Sequence, residues 1–363
     1  MKLHRRLAGA LLVSAGLAIG ATSASGQEFY EGKTITCVVP FPPGGGTDSF
    51  FRVIVPHLAR LIPGQPDIVI QNMDGSGGLR ANNFVATEAQ ADGMTLLCTP
   101  WLAMAQLTEQ QGARFDYSEM ELIGGQFSVD GALINREILP DEDPRNILEA
   151  TETVVIGGIA PAGQLDLRMR LTMDILGAEY RYVPGYRGQA VQLPAFLSGE
   201  IHMIATNYGN YVRINKEAYV DNGPGTMFVH FPSFDADGNP IPSEQMQEIG
   251  VLRVDELYAE LNDGAMPEGQ LWEAFALLQT LSNNMGLSAW LPPGSPQEAV
   301  DALRAGWYAM PEDEEFRQAH REAFNREVSF LPLEQALFTQ ATIGTVSDEM
   351  RDFFKAYIEE GQQ

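Results

Sequence analysis

The sequence predicts an α/β fold in which a mostly parallel sheet is flanked by helices. A β-α-β-α-β series over residues 35–99 is the main reason, because strands that alternate with helices pair in parallel. Two glycine-rich turns, Gly44–Gly46 and Ser76–Gly78, fall at one edge of the sheet that this series builds. A second strand, Gly/Pro loop and helix over Val154–Leu176 (VVIGGIAPAGQLDLRMRLTMDIL) repeats the logic of the first.

Residues 1–26 read as an export signal. Lys2, Arg5 and Arg6 precede the apolar run Leu7–Ala21, and ATSASG offers cleavage near Ala24–Gly26. The run is shorter than the roughly 20 residues of a membrane span. No cysteine lies near the cleavage region, so a lipid anchor is not expected. Next, ITCVV (Ile35–Val39) is a β-branched run of the kind that forms a buried parallel strand. Pro40, Pro42 and Pro43 forbid its continuation, and the three glycines let backbone N–H groups approach a bound group. Phe51, Ile54, Leu58 and Leu61 then fall at helical spacing, with Thr47 or Asp48 as the expected cap. A strand, a bare loop and a helix N-terminus together hold anions through backbone donors. Neither a P-loop nor a dinucleotide fingerprint fits: no lysine follows the glycines, and G-x-G-x-x-G spacing is missing.

Pro66–Met73 reads as the second strand, Leu79–Ala89 as a helix and Asp92–Pro100 as a turn and third strand. Later, Ile201–Asn207 is a strand. Glu268–Leu281 is a helix whose Leu271, Phe275, Leu278 and Leu281 mark a core face. Two C-terminal helical stretches follow, one starting at Pro311, and then a last amphipathic helix capped by Ser347.

With 23 basic and 48 acidic residues, the chain carries a formal net charge of −25, and loss of the export segment makes it more acidic. Nucleic acid needs basic surface and is excluded as a partner. An anionic ligand is repelled at long range, so local donors must attract it. His57, His202, His230 and His320 are scattered, and no metal site or cofactor is expected. DADGN (Asp235–Asn239) lacks the full ligand pattern of a calcium loop and reads as a surface turn. Cys37 and Cys98 each fall in a predicted strand. Export permits a disulfide, but neighbouring parallel strands usually offer poor geometry, so buried free thiols are expected.

VVPFPPGGGTD (Val38–Asp48), QNMDGSGG (Gln71–Gly78) and ADGMTLL (Ala91–Leu97) resemble three ordered signatures of the Bug-type receptors. These are the periplasmic solute-binding proteins of tripartite tricarboxylate transporters, with patterns near VVPFPPGGxTD, ENRPGAGG and PDGYTLL. VPGYRG (Val183–Gly188), LSGEIHM (Leu197–Met203) and PPGSP (Pro292–Pro296) continue the similarity. The resemblance implies a two-domain type II periplasmic-binding-protein fold. Its expected parts are a signal peptide (1–26), a first domain (27–126 plus 286–363) and a second (127–285). It further implies a monomer in the periplasm that captures a small carboxylated solute in an interdomain cleft and delivers it to membrane permease subunits.

By motif position, Phe41, Gly45, Gly46, Thr47 and Asp48 line the first wall, with Ser76 and Gly77 behind them and Thr99, Pro100 and Trp101 at the third strand's end. The family's serine-rich loop is replaced by APAGQ (Ala160–Gln164), which leaves Gln164 as the nearest donor of the second wall. Tyr186, Arg187 and Asn207 complete the expected site, Arg187 as a fork-shaped carboxylate partner. Residues 208–285 exceed the family's usual length and suggest an altered lip or hinge. A sensory receptor of the same fold is the alternative. An exported enzyme fits less well, because Ser76 sits in no G-x-S-x-G elbow.

Overall fold

The computed structural model describes residues 28–362 apart from 187–188, 236–237, 284 and 325–326; the expected export signal lies outside the described residues. The opening series forms as β1 (Thr34–Val39), α1 (Gly46–Leu61), β2 (Asp67–Asn72), α2 (Leu79–Thr87), β3 (Thr95–Thr99) and a short α3 (Ala103–Leu107), then β4 (Glu121–Gln126). After a three-residue crossing come β5 (Asp130–Asn135), β6 (Val154–Gly157), α4 (Gln164–Leu176), β7 (Tyr180–Val183), α5 (Gln189–Leu197) and β8 (Met203–Asn207). A helical turn, α6 (Tyr208–Asn210), runs on as a π-helix over Tyr211–Asp221. β9 (Gly225–Phe231), the hairpin β10 (Ser233–Phe234) and β11 (Pro240–Ile241), α7 (Glu244–Glu248), α8 (Val254–Leu261) and α9 (Gln270–Asn283) follow. The chain returns through β12 (Leu287–Leu291) and ends in α10 (Gln297–Ala309), α11 (Glu314–Phe324), α12 (Leu333–Thr345) and α13 (Asp348–Glu360).

These strands make two five-stranded sheets of the same design, ordered β2-β1-β3-β12-β4 and β7-β6-β8-β5-β9. In each, the second strand, β1 or β6, runs parallel to both its neighbours, and one returning strand, β12 or β5, is inserted antiparallel. Both sheets are therefore mostly parallel, as expected. The insertion of β12 between β3 and β4 has no local signal, because it comes from a strand nearly two hundred residues downstream.

Side chains alternate across β1 and β3. Ile35, Cys37 and Val39, with Leu96 and Cys98, face the core under α1, whereas Val38 and Leu97 face the opposite core. Phe51, Ile54 and Leu58 of α1 are buried against the first group, each contributing roughly 1.5–3 kcal/mol of transfer free energy. The same alternation corrects the expectation of free thiols: Cys37 and Cys98 form a disulfide, with Cα atoms 5.9 Å apart. Cys37 is in register with Leu96, so Cys98 stands one same-face position along the neighbouring strand, at ordinary bridging distance.

The segment 208–285 is not mainly a lip. β9 completes the second sheet, and Phe275, Leu278 and Leu281 of α9 are buried in the main core, where α9 packs on α4 and α12. Among its described residues, Gly209 and Asn210 at its beginning line a large cavity. Pro311 lies in a short 3-10 turn, not at a helix start. α11 begins at Glu314, with Asp313 Oδ1 accepting from Phe316 N at 2.8 Å. Ser347 caps α13 as expected.

The turn between β1 and α1 is held from inside. The N-cap is Gly45, in extended conformation, and neither Thr47 nor Asp48 occupies that position. Asp48 lies in the first turn with its side chain 1% exposed. Its Oδ2 accepts from Gly44 N at 2.8 Å and Arg52 Nε at 2.7 Å; its Oδ1 accepts from Arg52 Nη2 at 2.9 Å and Asn72 Nδ2 at 2.8 Å. Asn72 Nδ2 also donates to the Phe41 carbonyl at 2.8 Å. One carboxylate thus joins the loop, the helix and the end of β2.

Two outcomes follow for stability. The Cys37–Cys98 bridge closes a 61-residue separation, which by loop entropy stabilises the fold by about 4 kcal/mol. Thiol titration in guanidinium should find no free thiol, and urea unfolding with reductant should show a loss of that order; two free thiols would refute the bridge. The Arg52 guanidinium beside Asp48 lowers its carboxyl to about 2. A folded-state pKa below the unfolded value means stability present above about pH 4 and lost as pH falls toward about 2. Asp48→Asn should cost on the order of 1–2 kcal/mol at pH 7, discounted because Arg52 is half exposed. It should also flatten the pH 4-to-2 slope measured by urea unfolding.

Candidate functional site

The first wall starts from the geometry of a helix end. The N–H groups of the first three residues of α1, Gly46, Thr47 and Asp48, have no acceptor within the helix, and none among the described residues. Aligned peptide dipoles add a partial positive charge there. An acidic residue in the first turn would cancel that charge. Here the fork of Arg52 neutralises Asp48, so the helix end remains attractive to an anion.

This end opens into a cavity of about 680 Å³. Gly44, Gly46, Thr47 and Ser49 line one side, and Gln126, Phe127 and Ser128 of the crossing segment line the floor. Asn207, Gly209 and Asn210 form the opposite side, with Gly286, Leu287, Ala323 and Phe324 closing it. Among the described residues, none that lines it is Asp, Glu, Lys, Arg or His. The cavity therefore offers backbone and neutral side-chain hydrogen bonds, a few apolar contacts and one helix end.

Among the residues expected from sequence, Gly46, Thr47 and Asn207 meet at this cavity. Gly45 is the N-cap behind them, and Asp48 is buried beneath. Asn207 caps α6 by accepting from Asn210 N at 2.9 Å, which leaves its amide NH2 without a partner among the described residues. Phe41 is half buried and contributes its carbonyl to the Asn72 contact. Ser76 lines a separate depression of about 580 Å³ with Arg80, Asn83 and Arg114; Gly77 is exposed beside it.

Thr99 is fully buried, its hydroxyl donating to the Pro100 carbonyl at 2.8 Å. Trp101 is 1% exposed and packs on Tyr117 and Trp290, so its ring is core. Its carbonyl accepts from Gln164 Nε2 at 2.9 Å, a contact between the end of β3 and the start of α4. Gln164 thus sits at the junction but outside the cavity lining. Tyr186 donates to Glu200 at 2.5 Å and packs on the core beside the second sheet. Arg187 lies outside the described residues.

Sequence reasoning missed Gln126, Ser128 and Asn210. Gln126 is 3% exposed, and its Nε2 is an enclosed donor with no partner among the described residues. Ser128 donates to Asp130 Oδ1 at 2.6 Å, and Asp130 in turn forms a buried ion pair with Arg168 of α4. The crossing from one sheet to the other is what marks Gln126 and Ser128. That signal exists only once the strands are assigned to sheets.

The second sheet carries the same device in altered form. At the end of β6, Gly163 is the N-cap of α4 and Asp166 lies three residues on, matching Gly45 and Asp48. Asp166 Oδ2 accepts from Ile159 N and Ala160 N at 2.6 Å each, and from Tyr182 OH at 2.9 Å. Arg170 stands where Arg52 stands in α1, four residues after the aspartate. It turns away and donates to the Tyr357 carbonyl of α13 at 2.6 Å. Burial pushes the Asp166 carboxyl up, against the pull of its hydrogen bonds.

No family model matches the chain. A UPF0065 protein of Pseudomonas sp. strain P51 is 38% identical over 89 residues, 23% of this chain and 26% of that protein. Protein BugT of Bordetella pertussis is 39% identical over 99 residues, 27% of this chain and 28% of BugT. These matches span about a quarter of either relative. A further UPF0065 protein of B. pertussis is 24% identical over 299 residues, 78% of both chains. Among solved structures, a TctC solute-binding protein from Polaromonas has TM-score 0.62 at 15% identity, over 91% of this chain and 99% of that one. MatC from Rhodopseudomonas palustris, solved with bound malate, has TM-score 0.56 at 18% identity, over 90% and 99%. At such identities the structures establish the periplasmic-binding-protein fold. The Bug and UPF0065 proteins are what the chain is similar to in sequence, over about a quarter of its length at 38–39% identity.

Proposed function

We propose that this protein is a periplasmic receptor that captures a small carboxylated solute and delivers it to the membrane permease of a tripartite tricarboxylate-type transporter. The observation that carries the reading is the N-terminus of α1, with its internal anion neutralised by Arg52, opening into a cavity whose lining, among the described residues, is uncharged. The bound malate of MatC supports the same ligand class. The cavity suits binding better than chemistry, because no acid, base or metal-ligating side chain among the described residues lines it.

In this reading, residues 27–126 with 286–363 form one unit and 127–285 the other, with the two crossings as the hinge. A ligand held by α1 on one side and by the Asn207 region on the other stabilises the closed arrangement by the difference in its affinity for the two states. The protein acts as a monomer.

Gly46→Pro tests the reading at the atom that matters. Gly46 is the first helical residue, where proline is favoured, and the space around an added Cβ is open. The preceding Gly45 is already extended, as a residue before proline requires. The variant should therefore keep its melting temperature while losing one N–H donor to the carboxylate, worth roughly 1.5–3 kcal/mol or a ten- to hundredfold affinity loss. Thermal-shift screening of carboxylates against the wild type supplies the ligand. If no carboxylate raises the melting temperature, or Gly46→Pro binds the best one unchanged, the reading fails.

A further inference from the structure

Away from the α1 cavity, the depression of about 580 Å³ beside the end of β2 and α2 gathers charge of the opposite sign to the chain as a whole. Arg80 of α2 and Arg114 of the loop between α3 and β4 line it, and Glu88 is the one acidic residue among its described lining residues. Arg114 Nη2 pairs with Glu88 at 3.0 Å. Arg80 is exposed and pairs with no carboxylate among the described residues; its Nη1 makes one long bond to the Asp74 carbonyl at 3.3 Å. One guanidinium is thus neutralised and the other is not. In a chain of net charge −25 this is a local attractor for an anion.

The two arginines are held in a fixed relation. Asn83 of α2 is buried; its Nδ2 donates to the Gly112 carbonyl at 2.7 Å, and its Oδ1 accepts from Arg114 N at 2.7 Å. The loop that carries Arg114 is therefore bonded onto the helix that carries Arg80. Beside these cations lies an apolar wall: Leu79 is buried in the main core, and Met73 and Phe84 are half-buried against it. A volume in the range of small-molecule sites, an apolar wall and a few placed polar groups describe a ligand pocket. The fork of a guanidinium matches a carboxylate, and the wall matches the carbon body behind it. A second negative charge would meet Glu88, which already takes Arg114.

We propose that this depression is a second binding site, for a monocarboxylate with an apolar body. Arg80 holds the carboxylate, and Met73, Leu79 and Phe84 receive the body. The site is separate from α1, so its failure leaves the receptor reading standing.

Methyl spectra of the protein, isotope-labelled at its methionines, report on the site because Met73 lines it, and Met73→Leu identifies the resonance. Phenylacetate and hexanoate are the probes, phenylacetamide the uncharged control and inorganic phosphate the bare anion. Phenylacetate or hexanoate should move the Met73 resonance saturably, and neither control should move it at the same concentrations. Arg80→Gln, at an exposed position that leaves the fold intact, should weaken the probe about tenfold. Glu88→Gln releases Arg114 and should tighten it several-fold, whereas Gly46→Pro should leave it unchanged. A resonance that neither probe moves, or that either control moves equally, overturns the site. So does unchanged affinity in Arg80→Gln, or a loss in Gly46→Pro, which would put the probe at α1. Weaker binding in Glu88→Gln overturns the charge argument.

Discussion

The Asp48 carboxylate is the contact on which the first half of the molecule depends. Its two oxygens take donors from the loop, from α1 and from the end of β2. A loop of prolines and glycines has little conformational preference of its own, and ordering it costs entropy. The buried carboxylate supplies the compensating bonds and fixes where the N–H groups of Gly46 and Thr47 point. Arg52 makes the arrangement electrostatically neutral, which is the condition for the helix end to hold an external anion. The shape of the loop and the neutral charge of the helix start thus rest on one ion pair.

The second sheet shows what happens when the same pattern meets a different neighbour. Asp166 and Arg170 have the spacing that pairs Asp48 with Arg52. Yet Arg170 lies between the Tyr182 and Tyr357 rings and donates to the Tyr357 carbonyl, near the C-terminal end of α13. The last helix thereby converts a neutral helix start into an acidic one. α13 also ties in residues of the first half: Lys355 pairs with Glu109 at 2.7 Å, and Arg351 donates to the Leu107 carbonyl at 3.3 Å. A single apolar core runs through both sheets on this side, joining Val38, Leu97 and Leu122 with Ile134, Ile156 and Leu167.

Much of the fold was legible because its signals are local. The β-branched run at Ile35–Val39, the Pro/Gly punctuation after it and the helical spacing of Phe51, Ile54 and Leu58 each involve fewer than a dozen consecutive residues. Trp101 shows where such reading stops. An aromatic residue at a strand end is equally compatible with a cleft wall and with a core, and the packing of Tyr117 and Trp290 puts it in the core. The Cys37–Cys98 bridge was misread for a related reason: whether two strands place cysteines on one face depends on register, which neither strand encodes alone.

The sequence by itself determined the alternation of strands and helices, the two glycine turns at one sheet edge and the exclusion of nucleic acid by charge. Tertiary structure alone decided which groups line the cavity and which are enclosed. Gln126 has an unmet donor only because β12 and the crossing chain enclose it, and Asp166 lacks its arginine only because α13 claims it. Vacancy and charge balance are properties of a neighbourhood, and that neighbourhood is assembled from segments up to two hundred residues apart.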